Sequence, residues 1–213
     1  RRQRQMCIRD RFISFEGSEG VGKTTAIDGL CQYLTAKNIA FVRTREPGGT
    51  PFAELLRARL LDNTTQMSVD TELLTIFTAR ADHLAEVILP NLTANRWVIC
   101  DRFVDSTVAY QGFGRYHGVA DYLAKIELLT RYFVPRLPDL TFWLDLDVAK
   151  GLARAGRRGT PDRFESETLD FFYRVQQGFI HQATTNPAVV RIDADGTKET
   201  VLAQIIAKLE HAN

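Results

Sequence analysis

Apolar and polar residues follow two periods along this chain. In "RFISFE" (residues 11–16), Phe12 and Ser14 alternate with Ile13 and Phe15, the pattern of a short strand. Runs of the same kind recur as "AFVRT" (40–44), "RWVIC" (96–100), "LTFWLDL" (140–146) and "AVVRI" (188–192). Between them the apolar positions move to helical spacing: Ile27, Leu30, Cys31 and Leu34, then "TELLTIFTARADHLAEVILPNL" and "DYLAKIELLTRYFV". Strands alternating with helices predict βαβ units, hence a parallel sheet covered by helices on both faces. "LTFWLDL" is almost wholly apolar, as a strand buried on both faces requires. No repeat or low-complexity linker interrupts the pattern, so residues 11–213 are expected to form one α/β domain.

Composition narrows the picture only a little. A chain of 213 residues with 45% hydrophobic content can bury a substantial core. A net charge of +1 provides no global field to recruit nucleic acid or a membrane surface, so anion binding has to be local. Cys7, Cys31 and Cys100 are too scattered for a disulfide framework or a zinc site. No apolar run approaches membrane-spanning length, and a reducing cytoplasm is the expected location. The head "RRQRQMCIRD" (1–10) is basic without a signal-peptide core, and is expected to be a disordered or non-native segment outside the fold.

Local anion binding has a clear candidate. The loop Gly17-Ser18-Glu19-Gly20-Val21-Gly22-Lys23-Thr24-Thr25 fits G-x-x-x-x-G-K-[ST], with a strand before it and a helix after it. Glycines let successive N–H groups turn inward around phosphates. The lysine then reaches the β/γ oxygens, and the threonine hydroxyl ligates Mg²⁺. The helix adds its positive end. A turn that merely uses glycine is the plainer alternative, but both flanking elements are present. Ligands of parallel sheets collect at the carboxyl ends of the strands. There this chain carries "EGSEGVGKTT", "REPGGT", "DRFVDSTVAYQG" and "DVAKGLARAGRRGTPDRFE". Four such loops at one edge point to two phosphorylated ligands.

The motifs "GSEGVGKTT", "TREPGGTP", "ICDRFVDSTVAYQG" and "RRGTPDRFE" together resemble thymidylate kinases, from about Phe12 to the last helix. "TREPGG" and "DR…AYQG" carry more of this resemblance than the phosphate loop, which many nucleotide hydrolases share. The resemblance implies a P-loop NTPase-type parallel five-stranded sheet flanked by helices, with a mobile lid at about residues 151–165. It also implies transfer of the γ-phosphoryl of ATP to dTMP, dependence on Mg²⁺ and a homodimer. Bottom-up chemistry agrees, since phosphoryl transfer needs positioning and charge neutralisation more than covalent catalysis.

The resemblance further assigns residues. Lys23, Arg102, Glu19 and the lid arginines Arg154, Arg157 and Arg158 form the catalytic set; the phosphate loop has no arginine of its own, as in the bacterial type. Residues Gly17 to Thr25 hold ATP, and Thr24, Glu46 and Asp101 lie at the metal. Glu46, Arg57, Arg102 and Arg163 serve dTMP, with Arg102 clamping its phosphate. Arg80 and Gln111 read the thymine edge, and Tyr110 crowds the 2′ side of the sugar. Relatives place Phe four residues before the arginine; here that residue is Ile76, so Phe77 is the choice for stacking, with core packing as its rival. Glu19 orients the 3′-hydroxyl or metal-bound water, or simply pairs with a lid arginine. Arg45 is a weaker candidate, and the four histidines receive no role. A deoxynucleoside kinase is the nearest alternative. A nucleotide-binding module without an acceptor is a more distant one.

Overall fold

The computed structural model describes residues 11–156 and 162–211. Five strands, β1 (Phe12–Glu16), β2 (Phe41–Arg45), β3 (Trp97–Asp101), β4 (Leu140–Asp145) and β5 (Val189–Asp193), form one sheet. Their order is β2-β3-β1-β4-β5 and every pairing is parallel. The expected fold class is therefore the one observed, with strand ends within a residue or two of those read from the alternation. All five residues of β1 are buried, because it runs down the middle of the sheet between β3 and β4.

Helices cover both faces. α1 (Lys23–Ala36) packs with the C-terminal helix on the face that carries Ile13, Phe15, Phe142 and Leu144. α2 (Pro51–Leu61) begins at Thr50, whose hydroxyl accepts from the Ala53 N–H, with proline in the first turn where no N–H is needed. α3 (Val69–His83), capped by Ser68, continues through a π-helical turn at Leu84–Ile88 into α4 (Leu89–Thr93). This composite supplies Leu73, Phe77, Leu84, Ile88 and Leu92 against Phe12, Val98 and Cys100 on the second face. Periodicity alone reads the whole stretch as one helix, and Pro90 falls at the start of α4, where it is tolerated.

After β3 the short α5 (Val104–Thr107) passes into a π-helical segment, Val108–Arg115, and then α6 (Ala120–Phe133). The chain continues through β4, α7 (Val148–Ala155), α8 (Leu169–Thr185), β5 and α9 (Lys198–His211). α8 packs closely on the π-helical segment: a Cβ on Gly178 would stand 2.6 Å from the Ala109 Cα. Tyr110 is thereby pinned among Phe164, Phe171 and Phe179. Among the described residues no helix is long and apolar enough to cross a membrane.

Candidate active site

The chain passes from β1 at the centre of the sheet to β2 at one edge, and later to β4 on the opposite side of β1. The strand order thus reverses at β1, and the loop that follows it occupies the crevice where ligands of such sheets bind. Gly17, Gly20 and Gly22 all have positive φ. Gly20 has a second reason to lack a side chain: a Cβ there would come within 1.9 Å of the Gly151 carbonyl oxygen. The loop therefore lies directly against the middle of α7, the helix that carries Arg154. Lys23 turns its ammonium back across the loop and donates to the Gly17 and Ser18 carbonyls, each at 2.9 Å. Burial, with Arg102 nearby, lowers its pKa. A positive group withdrawn from water and close to another is one that an incoming anion would stabilise. Thr24 and Thr25 stand exposed at the start of α1.

Arg102, directly after β3, has φ 72°, a left-handed backbone that a residue with a Cβ adopts at a cost. Its backbone N–H reaches the Phe15 carbonyl, so the strained turn is fixed to β1. Its guanidinium donates to the Gly17 carbonyl at 2.9 Å, to Glu19 Oε1 at 2.6 Å and to the Tyr110 hydroxyl at 3.1 Å. Tyr110 also donates to Glu19 Oε1, at 2.9 Å. Burial works against the Arg102 charge, but Tyr110, Glu19 and Asp101 outweigh it and hold the pKa above its ordinary value. Glu19 thus has a concrete position, beside Arg102 and Tyr110 in the wall of the cleft.

Two recesses open on this wall. One, about 350 Å³, lies over the glycine loop and is bordered by Lys23, Thr24 and Arg154. The other, about 200 Å³, is bordered by Ile76, Arg80, Phe103, Tyr110, Gln111 and Phe164, and both share Glu19, Arg57, Asp101 and Arg102. Arg57 donates to the Pro47 carbonyl at 2.8 Å, and burial, assisted by Arg45, lowers its pKa. Asp101 Oδ1 is buried with no hydrogen-bond partner among the described residues. The two recesses, one of them over the glycine loop, thus meet at a wall of two arginines and two carboxylates.

Comparison with known proteins agrees with this geometry. The family model described as thymidylate kinase matches residues 15–205. The chain belongs to the thymidylate kinase family. Among its relatives, the thymidylate kinase of Psychrobacter sp. (strain PRwf-1) is 63% identical over 196 residues, spanning 92% of this chain and 94% of that protein. That of Acinetobacter baumannii (strain ATCC 17978) is 46% identical over 201 residues, 93% of this chain and 99% of the relative. The crystal structure of thymidylate kinase from Ehrlichia chaffeensis superposes with a TM-score of 0.73 at 33% identity, covering 94% of this chain and 98% of that one.

Against the expectations drawn for a member of this family, Phe77 and Arg163 stand away from the recess, while Glu46 borders it. Phe77 does not border the recess: it is buried in the core beneath the Arg80 guanidinium, 5.0 Å from its ring centre, because its side of α3 faces the sheet. Ile76 borders the recess instead. Glu46 is held from behind: Oε2 accepts from Arg80 Nε at 2.7 Å and Oε1 lies 3.0 Å from His83 Nδ1, all buried. Arg163 turns away from the recess, to Glu72 at 2.7 Å and to the Leu60 carbonyl. Arg45 pairs with Glu54, Arg154 lies 3.9 Å from Asp195 at the rim, and Arg157 and Arg158 fall outside the described residues.

Sequence reasoning missed a layer behind the site. Glu16, the last residue of β1, accepts from the Phe103 and Ser106 N–H groups and from the Ser106 hydroxyl, anchoring the turn after Arg102. His83 is fully buried between Thr44 Oγ1 and Glu46. Glu72 collects Gln111, Arg115 and Arg163. A carboxylate closing a mostly apolar strand was the one visible sign, at Glu16; the other two lie on helical faces with ordinary polar neighbours in sequence.

Proposed function

We propose that this chain transfers the γ-phosphoryl group of ATP to dTMP, giving ADP and dTDP. The observation that carries this reading is the shared wall of Glu19, Arg57, Asp101 and Arg102 between the phosphate-loop recess and the second, partly apolar one. ATP lies on the glycine loop with its phosphates along the N–H groups of Gly17 to Thr25, where Lys23 exchanges its carbonyl partners for phosphate oxygens. dTMP occupies the second recess, its phosphate on Arg102 with Arg57 beside it. Planar guanidinium groups grip phosphate oxygens in pairs and stay charged. Glu19 sits in contact with Arg102 and Tyr110, where it keeps the clamp in register and reaches the sugar hydroxyl. Tyr110 faces the sugar, and Arg80 and Gln111 face the base.

The residues present also fit Mg²⁺. Thr24, which is exposed, and Asp101, one of whose oxygens has no hydrogen-bond partner among the described residues, border the same recess. Mg²⁺ usually takes few protein ligands and completes its shell with water and phosphate. When bound, it neutralises charge on the β and γ phosphates. Among the described residues no group of three or more His, Cys, Asp or Glu has metal-binding geometry, in keeping with a metal held mainly through ATP. The lid arginines meet the charge that develops between donor and acceptor, and location in the cytoplasm accords with the substrates.

An ADP-release assay with dTMP, dUMP, dCMP, dGMP and thymidine tests the reading. dTMP should be turned over fastest, and thymidine, which lacks the phosphate for Arg102, should be a poor acceptor. Equal turnover of thymidine and dTMP would make the chain a nucleoside kinase. No turnover of any acceptor would leave a nucleotide-binding module.

A further inference from the structure

Of the two residues facing the base, Arg80 has no ambiguity of polarity. Its guanidinium only donates; Nε and Nη2 are engaged by Glu46, the Phe103 carbonyl and Thr107, and Nη1 is buried without a partner among the described residues. Gln111 is different. A carboxamide has a donor end and an acceptor end of nearly the same shape, so a half-turn reverses what it offers the ligand. A freely turning glutamine would therefore meet a ring N–H with its oxygen or an unprotonated ring nitrogen with its NH₂, and so would not discriminate at that position.

Glu72 removes that freedom. Its side chain is 2% exposed and does not border the recess. Oε1 receives Gln111 Nε2 at 2.8 Å and Arg115 Nε at 3.4 Å; Oε2 lies 2.7 Å from an Arg163 Nη and 3.4 Å from an Arg115 Nη. An ionised carboxylate flanked by two guanidinium groups is an acceptor only. The Gln111 atom facing it must therefore be the NH₂, since a carbonyl oxygen at that distance, in a buried place, would be repelled. The Gln111 oxygen is left to the other side, and it has no hydrogen bond among the described residues. We infer that Glu72 is a specificity-determining positioning residue, which locks the Gln111 carboxamide so that the recess presents one donor and one acceptor.

This inference rests on the reading of Arg80 and Gln111 as base readers. With Arg80 Nη1 as donor and Gln111 Oε1 as acceptor, the pair fits a carbonyl next to a ring N–H, as in thymine. Cytosine opposes donor to donor and acceptor to acceptor. Buried polar groups left unpaired are what make such rejection strong.

The test is the ratio of dissociation constants for dCMP and dTMP, each titrated calorimetrically into the same preparation of full chain, so that the folded fraction cancels. Glu72→Gln can donate as well as accept, lets Gln111 turn, and should lower the ratio about tenfold or more, a difference of about 1.4 kcal/mol. Arg115→Met removes a cation from the same carboxylate but leaves the Gln111 bond; it should lower the melting temperature and keep the ratio. An unchanged ratio in Glu72→Gln overturns the lock. Gln111→Ala separates the two levels. If it leaves dTMP binding intact, the base-reading assignment itself fails; if it weakens dTMP while Glu72→Gln keeps the ratio, only the lock fails. Should Glu72→Gln not fold, the wild-type chain carries the test. The Gln111 NH₂ resonances, assigned by their loss in Gln111→Ala, should exchange slowly with solvent before any nucleotide is added. Free exchange would overturn the inference.

Discussion

Glu16 shows how a single residue behind the site sets the geometry in front of it. It ends β1 one residue before the phosphate loop, yet its carboxyl group points at the turn after β3 and binds the Phe103 and Ser106 N–H groups. Burial, and then Asp105, push its pKa from 4.5 up to about 8, against the opposing pull of Arg102, Ser106 and Phe103. The folded chain consequently holds a proton that the unfolded chain releases at lower pH. The stability this provides is full below 4.5 and is lost as pH rises through about 8. Glu16→Gln keeps the shape and removes the titration. Between about pH 5 and about pH 8 the melting temperature of the wild type should therefore fall relative to that of the variant. Parallel melting curves across that range would mean that Glu16 is already ionised in the fold.

Among the elements, α7 occupies the decisive place. Its middle lies against the glycine loop, where Gly151 and Gly20 pack backbone to backbone, and Arg154 in its last turn borders the recess over that loop. Asp147 caps its first turn by accepting from the Lys150 N–H. In the proposed reaction, with no arginine in the phosphate loop, Arg154 of this helix and Arg157 and Arg158 next in sequence are the expected source of charge for the transferring phosphoryl. Arginines engaged mainly in the transition state lower kcat and kcat/KM together when removed. The triple variant Arg154→Ala/Arg157→Ala/Arg158→Ala should lose about a thousandfold in kcat, by analogy with arginine fingers, while nucleotide affinity by titration stays nearly unchanged. A kcat within a few-fold of wild type, with only KM for ATP raised, would reduce the segment to a binding flap.

For the molecule as a whole, the surface is as informative as the cleft. Phe52 and Leu55 on α2, Leu74 on α3, and Leu128, Tyr132 and Phe133 on α6 are all exposed, Leu55 at 68% and Tyr132 at 70%. α2 packs on α3 and α3 on α6, so these side chains belong to neighbouring helices. Exposed apolar residues on neighbouring helices are of the kind that a partner protein covers. A second copy of the chain is the expected partner, and such an interface places no demand on the cleft residues themselves. Sedimentation should give twice the 24.1 kDa chain mass, and Leu55→Glu should shift it toward the monomer. A wild-type chain that sediments as a monomer at micromolar concentration would remove the dimer.

Much of this molecule could be read from the order of its residues. The alternation of strand and helix periods carries the sheet and its two covered faces, because burial on both faces dictates apolar strands and one-sided helices. The glycine loop, Lys23 and Arg102 were legible because their chemistry depends on contiguous residues or on a position at a strand end. What only the tertiary structure decided lies between elements distant in sequence. Ile76 and Phe77 are adjacent, and the rotation of α3 against the sheet is what sends one to the recess and the other to the core. Glu46, in the loop after β2, has both its oxygens held by Arg80 and His83 of α3, partners that its sequence neighbours do not reveal. Arg163 looks like a phosphate ligand until Glu72 draws it aside. A charged side chain goes to whichever partner shares its buried environment, and burial is a property of the packed fold, which local sequence does not encode.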